Sequence, residues 1–249
     1  MKPANYFRTV ATIVVAMVSA GYAQTGTVYD NTSIDTGGRL MFTNNQVIGE
    51  EIFPDHLATY PTLSSFSFEF YSPSLGWAGS VQSEVKFYKN DGVLSNGYAS
   101  PGTLFYDTGL FDLLNPRAFY GDTNNVMILT FNWPDLYQPY NPLDGSGAVV
   151  PLDATVGLPS NFTMVFTFSG LTNGVNDLGL PIFQPPAVGT NYGDYWIQNG
   201  SSWELVTNNL GLVAFGLQLI DVVPEPSVST LEALGFGFVV IAGLIKRRK

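Results

Sequence analysis

The chain has 249 residues, of which 12% are charged and 14% are aromatic, and it contains no cysteine. The lack of cysteine excludes disulfides, iron–sulfur clusters and thiolate zinc sites. Two terminal segments of distinct composition leave a body of about 200 residues, which is the size of one domain with a self-sufficient core.

The charges are distributed unevenly along the chain. Six of the ten Lys and Arg residues lie in the terminal segments, whereas only one of the twenty acidic residues, Glu232, lies after residue 230. Residues 24–230 therefore carry nineteen acidic residues and four basic ones, a formal net charge of −15. Such a surface repels nucleic acid, which excludes that partner class, and it attracts divalent cations or lies beside neutral glycans.

Residues 1–23 have the pattern of a secretory signal peptide. Lys2 and Arg8 give the basic start and residues 10–18 form the apolar run. Gly21 and Ala23 supply small residues at the two positions that matter for cleavage. We therefore predict that signal peptidase removes these residues and that the rest of the chain is exported. A cut after Ala20 is the alternative.

Short alternating runs predict strands across residues 24–222. In residues 65–70, Phe66, Phe68 and Phe70 share one face, and residues 81–88 alternate in the same way. Asn-, Asp- and Gly-rich turns separate the runs, and no long stretch has helical periodicity. We therefore predict an all-β domain, an antiparallel β-sandwich that is jelly-roll-like. The other predicted strands are 39–42, 46–53, 103–107, 126–131, 162–168, 195–198, 203–206 and 212–222.

Carboxylates beside aromatic residues are candidates for glycoside hydrolysis, which needs two of them across a cleft. No spacing selects a pair, so we predict no catalytic residue and no enzyme, with a secreted polysaccharide-acting hydrolase as the alternative. The single histidine, His56, lies in a predicted loop, and no nucleophile-elbow motif accompanies it. The candidate acids are Glu69, Asp135, Asp194 and Glu204.

Loops rich in Asp and Asn are candidates for calcium, because hard cations take oxygen ligands from such side chains. No loop has the EF-hand pattern, and the same residue types also form ordinary turns, so both interpretations stay open. The candidate ligands are Asp122 and Asn124 in one loop and Asp144 in another, and a third loop contains Asn173, Asn176 and Asp177.

Aromatic side chains in loops are candidates for glycan binding, since a flat ring can pack against the face of a sugar. The alternative for each tryptophan, including Trp77 in the 76–79 loop, is core packing. One group lies in the 132–142 loop, whose rings are hard to bury together, and a second lies near Asn191. The candidates are Trp133, Tyr137 and Tyr140 in the first group and Tyr195 and Trp196 in the second.

Residues 223–249 combine three features in a fixed order. A Pro-rich motif is followed by an apolar run, which has 17 residues when counted from Ser229 to Ile245, and then by a basic end. Seventeen residues are the lower limit for a membrane-spanning helix, and the terminal cations would stay on the cytoplasmic side. The motif residues are Pro224, Glu225, Pro226 and Ser227, and the basic stop is Lys246, Arg247, Arg248 and Lys249.

This order of motif, span and basic end resembles the PEP-CTERM sorting signal, which exosortases recognise in exopolysaccharide-producing Gram-negative bacteria. The resemblance implies that an exosortase-type enzyme processes the tail at the inner membrane. It also implies that the protein ends at the cell surface or in the extracellular matrix, associated with exopolysaccharide or biofilm. The alternative is a permanent single-span anchor.

A second resemblance concerns the body. Residues 28–31 and 179–183, with Trp196 and Trp203, resemble segments of β-sandwich domains that carry this tail. It implies no activity and supports the fold class. We therefore expect a structural or adhesive, glycan-associated exported protein.

Overall fold

The structure, a computed structural model, describes residues 25–55, 62–74, 76–113, 125–132, 158–207 and 213–222. These residues contain strands and no helix, and every strand pairing is antiparallel, which confirms the predicted all-β class. The strands are β1 (Thr25–Asp30), β2 (Asp35–Met41), β3 (Val47–Ile52), β4 (Thr62–Tyr71), β5 (Gln82–Lys89), β6 (Leu94–Ser95), β7 (Tyr98–Ala99), β8 (Leu104–Asp107), β9 (Phe111–Asp112), β10 (Val126–Asn132), β11 (Phe162–Ser169), β12 (Gly179–Phe183), β13 (Tyr195–Asn199), β14 (Ser202–Val206) and β15 (Leu217–Val222).

Two sheets form a sandwich-like body within the compact unit Thr25–Val222. The first sheet has the order β1-β15-β4-β12-β2, with β10 also paired to β4. The second sheet has the order β14-β13-β3-β11-β5-β8, with β9 also paired to β5, and the β6–β7 hairpin stands apart. Strands that are distant in the sequence are therefore neighbours in each sheet.

Aromatic side chains fill the space between the two sheets. Phe66, Phe68 and Phe70 of β4 are buried together, as their alternation predicts. The Phe68 ring lies 5.2 Å from the ring of Phe166 on β11, and the Phe66 ring lies 5.2 Å from that of Phe87 on β5. Such tilted and edge-on ring contacts stabilise a core beyond the area that they bury.

Several strands of the first sheet differ from the sequence predictions: β1 and β12 are absent from the predicted strands, and β15 is shorter than the predicted strand 212–222. β12 contains Pro181, which cannot donate a ladder hydrogen bond, and the register with β2 shifts just after it. The last strand begins at Leu217, because Phe215 forms an isolated bridge to Ile182 instead of continuing the ladder. Pro181 explains why alternation alone misses β12. The irregular start of β15 explains why alternation places the beginning of that strand too early.

The carboxyl group of Glu50 lies fully buried between the sheets. Its Oε1 accepts hydrogen bonds from Tyr29 Oη at 3.0 Å and Asn191 Nδ2 at 2.7 Å. Its Oε2 accepts one from the backbone N–H of Phe215 at 2.7 Å. Because Tyr29 belongs to β1 of the first sheet and Glu50 to β3 of the second, this carboxyl joins the sheets.

Burial raises the pKa of Glu50 to about 7, and the hydrogen bonds from Phe215, Asn191 and Tyr29 offset part of that rise. The negative charge of Asp194 raises the pKa further. Burial and the neighbouring Glu50 in turn raise the pKa of the Tyr29 phenol. The carboxyl therefore takes up a proton in the folded chain at a pH where the unfolded chain has already lost it.

We expect Glu50 to lower the free energy of unfolding as the pH rises. Its pKa is raised from 4.5 to about 7 on folding, so its stabilising effect is complete below pH 4.5 and is lost as the pH passes 7. Replacing Glu50 with Gln keeps the side-chain shape and removes the titration. Urea unfolding at several pH values should show a fall in wild-type stability that exceeds that of Glu50→Gln by about 3 kcal/mol.

Other buried acids do not confuse this comparison. Burial also raises the pKa of Glu51, Asp107 and Asp194, and all three are present in both proteins. The difference between the two pH profiles therefore reports the titration of Glu50 together with its coupling to Asp194. Parallel profiles from pH 4.5 to 7 would show that the Glu50 pKa is not raised.

Candidate functional site

The β13–β14 hairpin forms one edge of the second sheet and folds across the outer surface of that sheet. β13 pairs with β3 at Trp196 and Ile197, whereas β14 lies beside β6. The ring of Trp203 on β14 lies 6.0 Å from the ring of Tyr88 on β5. In the sheet order β13, β3 and β11 stand between β14 and β5. Because neighbouring strands are about 4.8 Å apart, this contact requires the hairpin to fold back over the sheet.

Trp196 packs inside the protein. Its side chain is 0% exposed, and the strand register places it opposite Gly49 of β3 and Leu205 of β14. A Cβ at Gly49 would lie 2.6 Å from Cγ2 of Thr163, so this row is closely packed. The prediction that Trp196 binds a glycan is therefore wrong, because a stacking platform needs an exposed ring face.

Two other aromatic candidates also pack against the core. Trp77 is buried, and its Nε1 donates a hydrogen bond to Ser72 Oγ at 3.1 Å. Tyr195 is partly buried against the core, and burial raises the pKa of its phenol. The remaining candidates of the 132–142 loop lie outside the described residues and stay predictions. They are Trp133, Tyr137 and Tyr140.

Glu51 organises a polar network at the end of β3. Its Oε1 accepts hydrogen bonds from Asn90 Nδ2 at 2.7 Å and Asn161 Nδ2 at 3.0 Å. Thr163 Oγ1 donates to Asn90 Oδ1 at 2.6 Å. Burial raises the pKa of Glu51, although the hydrogen bonds from the two amides lower it in part. The network fixes Asn90, where the segment that leads to the β6–β7 hairpin begins.

The segment 90–103 is closed by its own hydrogen bonds. The Asp91 carboxylate accepts hydrogen bonds from the backbone N–H of Thr103 at 2.6 Å and from its hydroxyl at 2.8 Å. The N–H of Gly92 donates to the carbonyl of Ser100 at 2.9 Å. The base of the β6–β7 hairpin is thereby held against the end of β5.

Both hairpins on this surface end in tight two-residue turns. Asn96 and Gly97 connect β6 to β7 with φ values of 55° and 89°, as a type I′ turn requires. Gly200 has a φ of 64° in the turn between Asn199 and Ser202, which are paired. Short, regular turns of this kind restrict the motion of both hairpins.

A groove of about 450 Å³ lies between the two hairpins. Tyr88 points into it from β5, while its strand neighbour Phe87 points into the core. The rings of Tyr88 and Trp203 meet edge to face, with their planes at 68°. The described residues that line the groove carry no formal charge. They are Tyr88, Gly92, Val93, Leu94, Ser95, Ser100, Pro101, Gly102, Gln198, Ser201, Ser202 and Trp203.

The polar groups of the groove are available to a ligand. Within the described part of the chain, the side chains of Gln198, Ser201 and Ser202 make no hydrogen bond to the protein. Burial raises the pKa of Tyr88, so its phenol keeps its proton at neutral pH. The groove thus combines two aromatic rings with hydroxyl and amide groups.

The candidate catalytic acids do not converge on this groove. Glu69 lies on β4 of the first sheet, on the strand face opposite to the buried phenylalanines. Asp194 precedes β13, where burial raises its pKa, and Glu204 is exposed on β14. Asp135 and His56 lie outside the described residues. The sandwich core therefore separates Glu69 from the other two described acids.

The third candidate calcium loop uses its polar side chains to hold the backbone. Asn176 Oδ1 accepts a hydrogen bond from the N–H of Ala78 at 2.8 Å, and both Asp177 carboxylate oxygens accept from Gly174 N–H at 3.0 Å. Among the described residues, no three His, Cys, Asp or Glu side chains gather as a metal site. The predicted calcium ligands of the other two loops lie outside those residues and stay predictions. They are Asp122, Asn124 and Asp144.

The two terminal segments also lie outside the part of the chain that the structure describes. In the described ranges, no helix is long and apolar enough to cross a membrane. The signal peptide at 1–23 and the sorting signal at 223–249 therefore stay predictions.

Glu50 and Glu51 are the functional candidates that the sequence analysis missed. The signal that could have found them is their position as consecutive acids in the otherwise apolar strand Val47–Ile52. Adjacent residues of a strand face opposite sides, so one of the two carboxyls had to enter the core. The Tyr88–Trp203 pair had no comparable signal, because the folded-back hairpin brings it together.

Comparison with protein-family models, with curated proteins and with solved structures finds no match to this chain. The functional interpretation therefore depends on the tail motif and on the geometry of the groove.

Replacing Glu51 with Ala should lower the free energy of unfolding by about 2 kcal/mol, because two partly buried amides lose their acceptor. Glu51→Gln keeps one acceptor oxygen and should lower it less. Urea denaturation at neutral pH measures both effects. The exposed Glu204→Ala is the matched control and should change stability by less than about 0.5 kcal/mol. Equal stabilities of Glu51→Ala and the control would contradict the role of the network.

Proposed function

We propose that this chain is an exported protein that an exosortase-type system sorts to the cell surface or extracellular matrix of a Gram-negative bacterium. The resemblance of residues 223–249 to the PEP-CTERM signal supports this proposal, as does the signal-peptide pattern of residues 1–23. The tail would form a membrane-spanning helix at the inner membrane before it is processed. We also propose that the strands of the sandwich are connected in a jelly-roll-like arrangement.

The body serves a structural or adhesive role in association with extracellular polysaccharide. The observation that carries this proposal is the uncharged groove in which Tyr88 and Trp203 meet edge to face on the outer surface of the second sheet. Ligand sites commonly combine aromatic walls with a few polar groups that fix orientation. The separation of Glu69 from Asp194 and Glu204 favours binding over hydrolysis, because a glycosidase needs its two carboxylates across one cleft.

The mature exported protein should lack residues 246–249. Changing Pro224, Glu225 and Pro226 together to Ala should block processing, because the extended motif that the peptidase reads would be lost. Mass spectrometry of protein recovered from the producing cell measures which residues remain. Val223→Ala, next to the motif, is the control and should be processed normally. Recovery of wild-type protein that retains residues 246–249 would refute the sorting proposal.

The purified exported protein should bind extracellular polysaccharide from its producing cell without shortening it. The reason is that the candidate acids Glu69, Asp194 and Glu204 do not line the groove, which offers rings and hydroxyls. Sedimentation with the polysaccharide measures binding, and reducing-end release from a polysaccharide panel measures hydrolysis. Hydrolysis that Glu69→Gln, Asp194→Asn or Glu204→Gln abolishes would establish the hydrolase alternative instead.

A further inference from the structure

We infer that the groove between the β13–β14 turn and the base of the β6–β7 hairpin binds a short, neutral saccharide, with Trp203 as the stacking platform. This assignment rests on the proposed association with glycans and names both the site and the ligand class. Four properties of the groove lead to it: the ring geometry, the free polar groups, the lack of charge and the rigid walls.

The two aromatic rings form a corner. The planes of Tyr88 and Trp203 meet at 68°, with their centroids 6.0 Å apart. In an edge-to-face pair one ring uses its edge, so ring surface stays available on the groove side. Trp203 is partly exposed and lines the groove, in contrast to the fully buried Trp196. The C–H-rich face of a pyranose is flat and apolar, and it fits such a surface.

The groups that surround this corner suit hydroxyls. The Gln198 amide both donates and accepts hydrogen bonds, and the hydroxyls of Ser95, Ser201 and Ser202 can do the same. Gln198 pairs with Trp203 across the hairpin, so its amide lies on the same face as the ring. Ser95 lies on the opposite wall. A ligand with hydroxyls around its rim can therefore bond to both walls.

The charge distribution selects a neutral ligand. The described lining contains no Lys or Arg to pair with a carboxylate, sulfate or phosphate. Two of the four basic residues of the body, Arg39 and Lys86, already pair with acids at 2.8 Å and 2.7 Å. The formal charge of −15 over residues 24–230 would repel a polyanion. A uronate chain would also lose hydration at the rings without gaining a partner.

The walls need little rearrangement to bind. The Glu51 network holds Asn90, and Asp91 closes the base of the β6–β7 hairpin through Thr103. The other wall is a paired hairpin with a two-residue turn. Binding to a preformed groove avoids the cost of ordering loops.

The test uses the full-length exported protein and titrates it with cello-, malto- and laminari-oligosaccharides and with polygalacturonate. Calorimetry gives the affinity, and tryptophan fluorescence reports contact with Trp203. We expect at least one neutral series to bind. Trp203→Ala should weaken that binding about thirtyfold, which is the effect of truncating a central aromatic contact. Trp203→Phe should keep most of the affinity and lose the fluorescence response.

Tyr71→Ala is the matched control, because Tyr71 is a partly exposed aromatic residue on β4 of the first sheet and does not line the groove. It should bind like the wild type, and all variants should show the wild-type thermal transition. Neutral-sugar binding that Trp203→Ala leaves unchanged would overturn the groove assignment while glycan association stands. Preferential binding of polygalacturonate would overturn the neutral ligand class. If the wild type binds no saccharide and no polysaccharide of its own cell, the proposed function fails with it.

Discussion

The two sheets of this protein meet across the buried carboxyl group of Glu50. The group accepts hydrogen bonds from Tyr29 in the first sheet, from the backbone of Phe215 beside that sheet and from Asn191 in the loop before β13. Around it the core is almost entirely aromatic and aliphatic. A polar group with fixed partners specifies one alignment of two sheets that apolar packing alone would allow to slide. The same contact orients the chain just before the hairpin that carries the groove.

That hairpin forms one wall of the groove on the outer surface of the second sheet. Gly49 lets Thr163 and Val165 lie close over β3, and Trp196 then packs opposite it, fully buried. With Trp196 used as an anchor, its hairpin neighbour Trp203 reaches the ring of Tyr88. The two tryptophans of one hairpin therefore have different roles, one in packing and one at the surface of the groove. Burial of the first is the condition for the position of the second.

Sequence patterns predicted the features of this fold that depend on residues close together in the chain. Alternation identified the inward face of Phe66, Phe68 and Phe70, because one side of a strand must be apolar when it covers a core. It could not identify the partners of Glu50 or Glu51, since Phe215 is 165 positions from Glu50 and Asn161 is 110 positions from Glu51. For the same reason, alternation placed Trp196 in the predicted strand 195–198 but could not show that the fold covers its ring.

The ends of the described unit meet in the first sheet, where Val222 pairs with both Thr25 and Thr62. β15 therefore lies between β1 and β4, with hydrogen bonds on both sides. If residues 223–249 hold the protein at a membrane before processing, a force on the tail acts on β15, which is hydrogen-bonded to a strand on each side. The groove is lined by residues of the second sheet and of the β6–β7 hairpin, whereas β15 belongs to the first sheet. Under the proposed sorting and binding, the strand that leads to the tail and the groove thus belong to different sheets, so each can be changed without altering the other.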